Sequence, residues 1–433
     1  MTKLEQYNIH IKLLSYLPFW VLVFLMTGCS QNREDRNVKT KQIVNVIEDL
    51  NEVKQIRKAT YYLENSESML GYVNGFTEFV DVVSELAEKP QFVEENIFRE
   101  FYFINGAGAN IRKTYIGNNP SKLKSKLNPT GFRVGDITKS DLNNMFQIAL
   151  DNAGGDSISI IFSDCIYDIG QSYAPFNALA TEGKGTRSIF IKRLINENIQ
   201  TVIIKLHSQF KGHYFPVSKR GRIPIAQTRP YYILIFGEYD LMNKYFNDEY
   251  ISKLKGFDAM ARFFKSKDVK IPYHVTAENL KGSFRFDRNV SNKLIEVEPD
   301  RQRLDFQFSI AVDFSALPLS KSYLESIQNY SCSENYSVSE ITPSVKKSVN
   351  VNFTPTHLIT TYAQINPYGK LEISLNHSTP SWINETNSID DKDIKNDTTQ
   401  TIGFKFLTDA IREAYEHVNH GKRITTFNVE IIK

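Results

Sequence analysis

The sequence predicts an α/β open sheet wound with helices, followed by a β-rich, sandwich-like second domain. Three observations carry this. Between Lys58 and Lys255, apolar runs of strand length alternate with stretches of helical periodicity, as βαβ units require. Two of those runs stop abruptly at a carboxylate, Glu64 and Asp164. That is how strands deliver polar groups to the carboxyl edge of such a sheet. From about Asp268 the texture changes to strand-like segments separated by turns rich in Ser, Asn, Asp and Pro.

Size and composition set the frame. A chain of 433 residues is long for one domain and comfortable for two. Its 41% hydrophobic and 23% charged content is ordinary for a soluble globular protein. A formal charge of +3 is too small for the strong basic field of a nucleic-acid binder, so no nucleic-acid partner is expected. The three Cys show no zinc-like spacing, and the eight His form no paired ligand motif.

Residues 1–28 read as a lipoprotein signal peptide. Lys3 and Lys12 make a weakly basic start, and Leu13 to Met26 is a run of about fourteen mostly apolar residues, short for a bilayer span. It ends in Leu25-Met26-Thr27-Gly28-Cys29, which resembles a bacterial lipobox. That resemblance implies cleavage before Cys29 and acylation of its thiol, so the chain is expected to be anchored to a membrane by lipid. Ser30 after the Cys implies delivery to the outer membrane of the cell envelope and leaves the face, periplasmic or external, open. Residues 29–41 are polar and form a tether. Ile43, Val44, Val46, Ile47, Leu50, Val53 and Ile56 repeat at helical spacing and open an α/β domain expected over 42–265, with the β-rich domain over 266–433.

Within the α/β domain, Tyr61 to Leu63 is a buried strand that ends at Glu64, and Ser66 and Ser68 follow at alternate positions. Phe79, Val80, Val82, Val83 and Leu86 mark the next helix. Ile97 to Ile104 is a second strand, and Tyr115 to Arg133 is polar and loop-like. Gly135-Asp136-Ile137-Thr138 precedes a helix over Leu142 to Leu150, with Thr138 and Asp141 also fitting a helix cap. Ser157 to Phe162 is an apolar strand reaching Ser163-Asp164. A helix near Phe190 leads to the strand Thr201 to Leu206. Ser208 to Arg229 then lacks helical periodicity, so a hairpin is expected to replace a crossover helix before the strand Tyr231 to Phe236. Its Lys211, Lys219, Arg220, Arg222 and Arg229 read as a solvated basic loop. A helix over Asp240 to Lys255 closes the domain.

In the second domain, strands are expected over Ile271–Val275, Leu304–Phe314, Val349–Phe353, His357–Tyr362, Leu371–Leu375 and Thr425–Ile432. A helix carries Phe404, Leu407, Ile411 and Tyr415, and the acidic stretch Asn384 to Thr399 reads as a mobile loop.

Glu64-x-Ser66-x-Ser68 after a strand resembles the Asp-x-Ser-x-Ser of the von Willebrand factor type A (vWA) fold, with Glu in place of Asp. The resemblance covers about Lys58 to Lys255 and implies a Rossmann-like, doubly wound sheet with a metal-ion-dependent adhesion site. Carried over residue by residue, it implies metal ligands Glu64, Ser66, Ser68, Thr138 and Asp164; Asp136 and Asp168, close in sequence to the last two, are candidates for a direct or water-mediated contact, and Asp136 is an alternative to Thr138. Such hard oxygens suit Mg²⁺, with Mn²⁺ or Ca²⁺ as alternatives. The implied function is binding and scaffolding without catalysis, the ion accepting an acidic residue of a protein partner. A metal-dependent phosphoester hydrolase and a structural lipoprotein with a degenerate site are the competing expectations.

Overall fold

The computed structural model describes residues 55–88, 97–170, 174–217, 221–266, 269–333, 335–343 and 352–433. Cys29, the signal segment, the tether and nearly all of the helix expected over Ile43–Ile56 lie outside them. Seven strands form the first sheet: β1 (Lys58–Glu64), β2 (Phe98–Asn105), β3 (Arg112–Gly117), β4 (Ser157–Ser163), β5 (Ile199–Tyr214), β6 (Ile223–Glu238) and β7 (Phe257–Phe263). Their order is β3-β2-β1-β4-β6-β5-β7. β1 runs parallel to both β2 and β4. β3 is antiparallel to β2, and β6 is antiparallel to both β4 and β5, so the sheet is mixed.

The central strands are apolar on both sides because helices cover both faces. Along β1, Tyr61 and Leu63 enter one core and Tyr62 the other. On the first face lie α1 (Glu78–Glu88), through Phe79, Val82, Val83 and Leu86, and α4 (Tyr239–Tyr245), through Leu241 and Met242. On the second face lie α2 (Leu142–Asp151) and α3 (Pro175–Leu194), joined by α5 (Phe404–Val418). Asp141 caps α2 by accepting the Asn144 N–H at 3.0 Å, the role that Thr138 had also fitted.

Two segments differ from the reading of the sequence, and a third meets it except in where one of its charges lies. As expected, no crossover helix joins β5 to β6. The two strands run on past the sheet as one hairpin, paired from Ile199 opposite Glu238 to Tyr214 opposite Ile223. Phe210, Tyr214, Ile223 and Ile225 are buried on one face of its extension, and this alternation carries both strands through the supposed loop. Arg229 accordingly lies inside, 3% exposed. The stretch from Tyr115 to Arg133 contains the end of β3 and a helix over Pro120–Lys126 capped by Asn119. The helix expected over Asp240–Lys255 is two short ones, Tyr239–Tyr245 and Asp248–Ile251, before the edge strand β7.

The rest of the chain builds a sandwich. One sheet has the order Tyr330–Cys332, Gly369–Asn376, Arg423–Ile431, Lys293–Glu298, Ser283–Phe286. The other runs Ser337–Pro343, His357–Ala363, Phe306–Val312, Tyr273–Lys281. Phe306, Phe308, Ile310 and Ile359 from one sheet meet Leu371, Ile373, Phe427 and Val429 from the other in a shared core. Of the strand expected over Val349–Phe353, residues 349–351 lie outside the described residues, and Asn352 and Phe353 form a bend.

Several contacts tie the later chain to the first sheet, among them Tyr415 against Thr201 at 2.8 Å and Tyr232 against Thr401 at 2.8 Å. α5 packs on α3, and its Phe404 stacks on Tyr232 of β6 with ring centroids 4.2 Å apart. The acidic stretch read as a mobile loop holds the hairpin: Asp391 accepts the Val217 N–H at 2.5 Å and the Tyr214 hydroxyl at 3.4 Å.

Candidate functional site

The carboxyl ends of β1 and β4 lie side by side because the strands pair in parallel, Leu63 opposite Phe162. This register places Glu64 next to Ser163 and Asp164. A third segment, residues 132–140, is pinned against them. Asn65 donates from Nδ2 to the carbonyls of Phe132 and Val134, both at 2.8 Å. The Glu67 N–H donates to Ile137 O at 2.8 Å, and the Gly106 N–H to Lys139 O at 3.0 Å. Gly135 turns this segment at φ +78°, where a side chain would also meet the Asn105 amide at 2.6 Å.

The result is a hydroxyl-lined carboxylate. Glu64 Oε1 accepts from Ser66 Oγ at 2.8 Å and from Ser140 Oγ at 2.6 Å, while Oε2 accepts from Ser163 Oγ. The hydroxyls of Ser66 and Ser68 lie 3.0 Å apart, and Ser68 in turn hydrogen-bonds Asp164. Cys165 follows Asp164 in the left-handed region, φ 54°, and its N–H donates to Ser163 Oγ at 2.8 Å. A buried non-glycine residue in that conformation costs free energy, and here it redirects the chain as it leaves β4 beside the serines.

Glu64 and Asp164 are 1% and 3% exposed, and two such carboxylates at close quarters cannot both ionise freely. Burial, and secondarily the charge of Asp164, push Glu64 up to about 7 against the pull of its three serine hydroxyls. Burial also raises Asp164, opposed by the Ser68 hydrogen bond and by the guanidinium of Arg229. Arg229 stands with its guanidinium carbon 5.2 Å from the Phe210 ring and 4.8 Å from the Tyr214 ring. Burial raises the Cys165 thiol well above its usual range, which makes it a poor nucleophile.

Of the residues predicted from the sequence, Glu64, Ser66, Ser68 and Asp164 converge. Thr138 does not join them: it is exposed, its hydroxyl donating to Asp136 Oδ1 at 2.6 Å and its N–H to the same oxygen at 3.1 Å. Ser140, two residues on, is the hydroxyl that reaches Glu64, because its backbone bridges to Gly106. Asp136 remains in its exposed turn, and Asp168 sits at the rim facing Lys139 at 3.7 Å. Sequence reasoning missed Ser140, Ser163 and Arg229. Ser163 was legible as the last residue of the apolar run, whereas the other two depend on loop and hairpin geometry.

A cavity of about 280 Å³ opens over the cluster. Its lining includes the polar Ser66, Ser68 and Ser140 and the apolar Ile166, Ile169, Phe215 and Val217. Comparison with known proteins returns no match: no family model, no curated protein and no solved structure aligns with this chain. Among the described residues, no three His, Cys, Asp or Glu side chains gather where an ion could sit. A cation here would therefore rest on hydroxyl as well as carboxylate oxygens. Two buried carboxylates and neighbouring serines are a hard-oxygen set of the kind Mg²⁺ accepts, and a cation would offset both the burial and the repulsion that favour a proton on Glu64. The residues present fit such an ion.

Proposed function

We propose that this protein is a lipid-anchored binding protein of the cell envelope, with a vWA-like head that recognises an acidic group of a protein partner. Ser66, Ser68, Ser140 and Asp164 would hold a divalent cation, Mg²⁺ or alternatively Mn²⁺ or Ca²⁺, with Glu64 orienting the hydroxyls. The ion would supply the positive charge that a partner's Asp or Glu completes. The chain's own residues do the remainder. The serines would give neutral oxygens that leave the ion's charge largely unquenched, and Ile166, Ile169 and Val217 add apolar lining beside them.

One observation carries this reading: oxygen-bearing side chains from three separated segments meet at the adjacent carboxyl ends of β1 and β4. The Glu-x-Ser-x-Ser motif and the order β3-β2-β1-β4 support the vWA likeness, and the antiparallel β6 is a departure from it. The lipid anchor and outer-membrane location rest on Leu25 to Ser30 alone. The test is recovery of envelope proteins on the purified chain with and without Mg²⁺. Capture that requires Mg²⁺ and is lost in Ser66→Ala with Asp164→Ala supports the proposal, and identical capture in excess chelator removes the cation from it. Phosphodiester turnover lost in Asp164→Asn would instead favour the hydrolase.

A further inference from the structure

A second cleft, of about 530 Å³, lies where the edge strand β7 meets the sandwich. Its volume is within the roughly 300–1,000 Å³ typical of small-molecule sites, which favour such junctions. It is lined by Met260 to Phe263, by residues of the segment 318–329, and by His377 to Trp382 with Asn384. It shares no lining residue with the cavity at Glu64.

Its charges are accounted for. Arg262, a lining residue, is paired with Asp248 at 3.0 Å. Its Nη1 nevertheless remains buried without a hydrogen-bond partner, which is unfavourable for a donor. His377 is neutral: Asn419 uses Oδ1 for the Ser266 N–H at 3.1 Å, so its amide nitrogen faces His377 Nε2 at 3.3 Å and donates to it. Burial, reinforced by Arg412, pushes that imidazole down to about 4. The rest of the polar lining is hydroxyl and amide, including Ser322, Gln328 and Asn384, all exposed. Trp382 and Tyr323 add aromatic bodies, the indole N–H held by Met260 O at 3.3 Å.

We propose that this cleft binds a neutral, hydroxyl-rich ligand of the saccharide class. Sugar hydroxyls both donate and accept, as the serine and amide lining does. The aromatic bodies face the apolar side of a pyranose ring. An anion finds Arg262 already neutralised, a cation finds no carboxylate in the lining, and an apolar ligand strands the polar groups.

The chain has two Trp, Trp20 and Trp382, so in full-length Trp20→Phe protein the indole emission reports on this cleft. Maltotriose, cellotriose, chitotriose and mannotriose are titrated to about 10 mM, with trigalacturonic acid as the charged control. The expected result is a saturable change in Trp382 emission with at least one neutral trisaccharide. Gln328→Ala combined with Asn384→Ala should weaken it at least tenfold at an unchanged melting temperature. No response to any neutral probe, equal binding by the double variant, or binding of the acidic trisaccharide alone would overturn the proposal.

Discussion

Glu64→Gln isolates the electrostatics of the candidate site. A free carboxyl of this type titrates at 4.5, and in the fold burial and Asp164 move it to about 7. Between those values the folded state holds a proton that the unfolded chain has released. Stability therefore falls as pH rises from about 4.5 to 7 and levels off above. At about 1.4 kcal/mol per pKa unit the whole loss is about 3 kcal/mol, most of which falls between pH 5 and 8. Gln keeps the acceptor for Ser66 and Ser140 and carries no charge to bury. Urea unfolding in chelator at pH 5 and 8 is the assay. Wild type should lose roughly 2–3 kcal/mol more than the variant across this range, the difference reporting the Glu64–Asp164 pair as a unit. Parallel pH profiles for the two proteins would refute the argument that the site stores an unfavourable charge.

Three further outcomes follow from the same geometry. Mg²⁺ at about a hundred times its dissociation constant should stabilise wild type by about 2.7 kcal/mol at pH 8, read as a rise in melting temperature that Ser66→Ala with Asp164→Asn abolishes. Ser140→Ala should weaken Mg²⁺ binding by calorimetry at least tenfold, whereas Thr138→Ala, whose hydroxyl serves Asp136, should leave it within twofold. Maleimide at pH 7.5 should leave Cys165 unmodified in the native protein and label it fully in urea, as peptide mass spectrometry would show, because the thiol is buried and its pKa raised.

The strand–loop–helix order around Glu64 was legible because β1 and β4 are continuous apolar runs with sharp polar ends, a signal that survives without tertiary context. Ser66, Ser68 and Asp164 followed from position on those ends. Ser140 did not, since the choice between hydroxyls two residues apart was made by the Asn65 clamp and the Gly106–Ser140 bridge, both long-range. The basic stretch around Arg229 misled for a related reason. Charge alone reads as solvated surface, and only the hairpin register turns Arg229 inward between two aromatic rings. In the sandwich, Lys293–Glu298 and Ser337–Pro343 escaped notice because edge and half-exposed strands carry little apolar contrast.

The placement of α5 bears on how the chain reaches this state during synthesis. Its Phe404 lies more than 160 residues beyond the end of β6, yet covers Tyr232 on that strand. At about 5–20 residues per second, the ribosome needs roughly 8–35 s to supply that lid after β6 emerges. Throughout the interval the sheet face bearing Tyr232 waits for its last layer, a window in which a nascent chain invites holding factors.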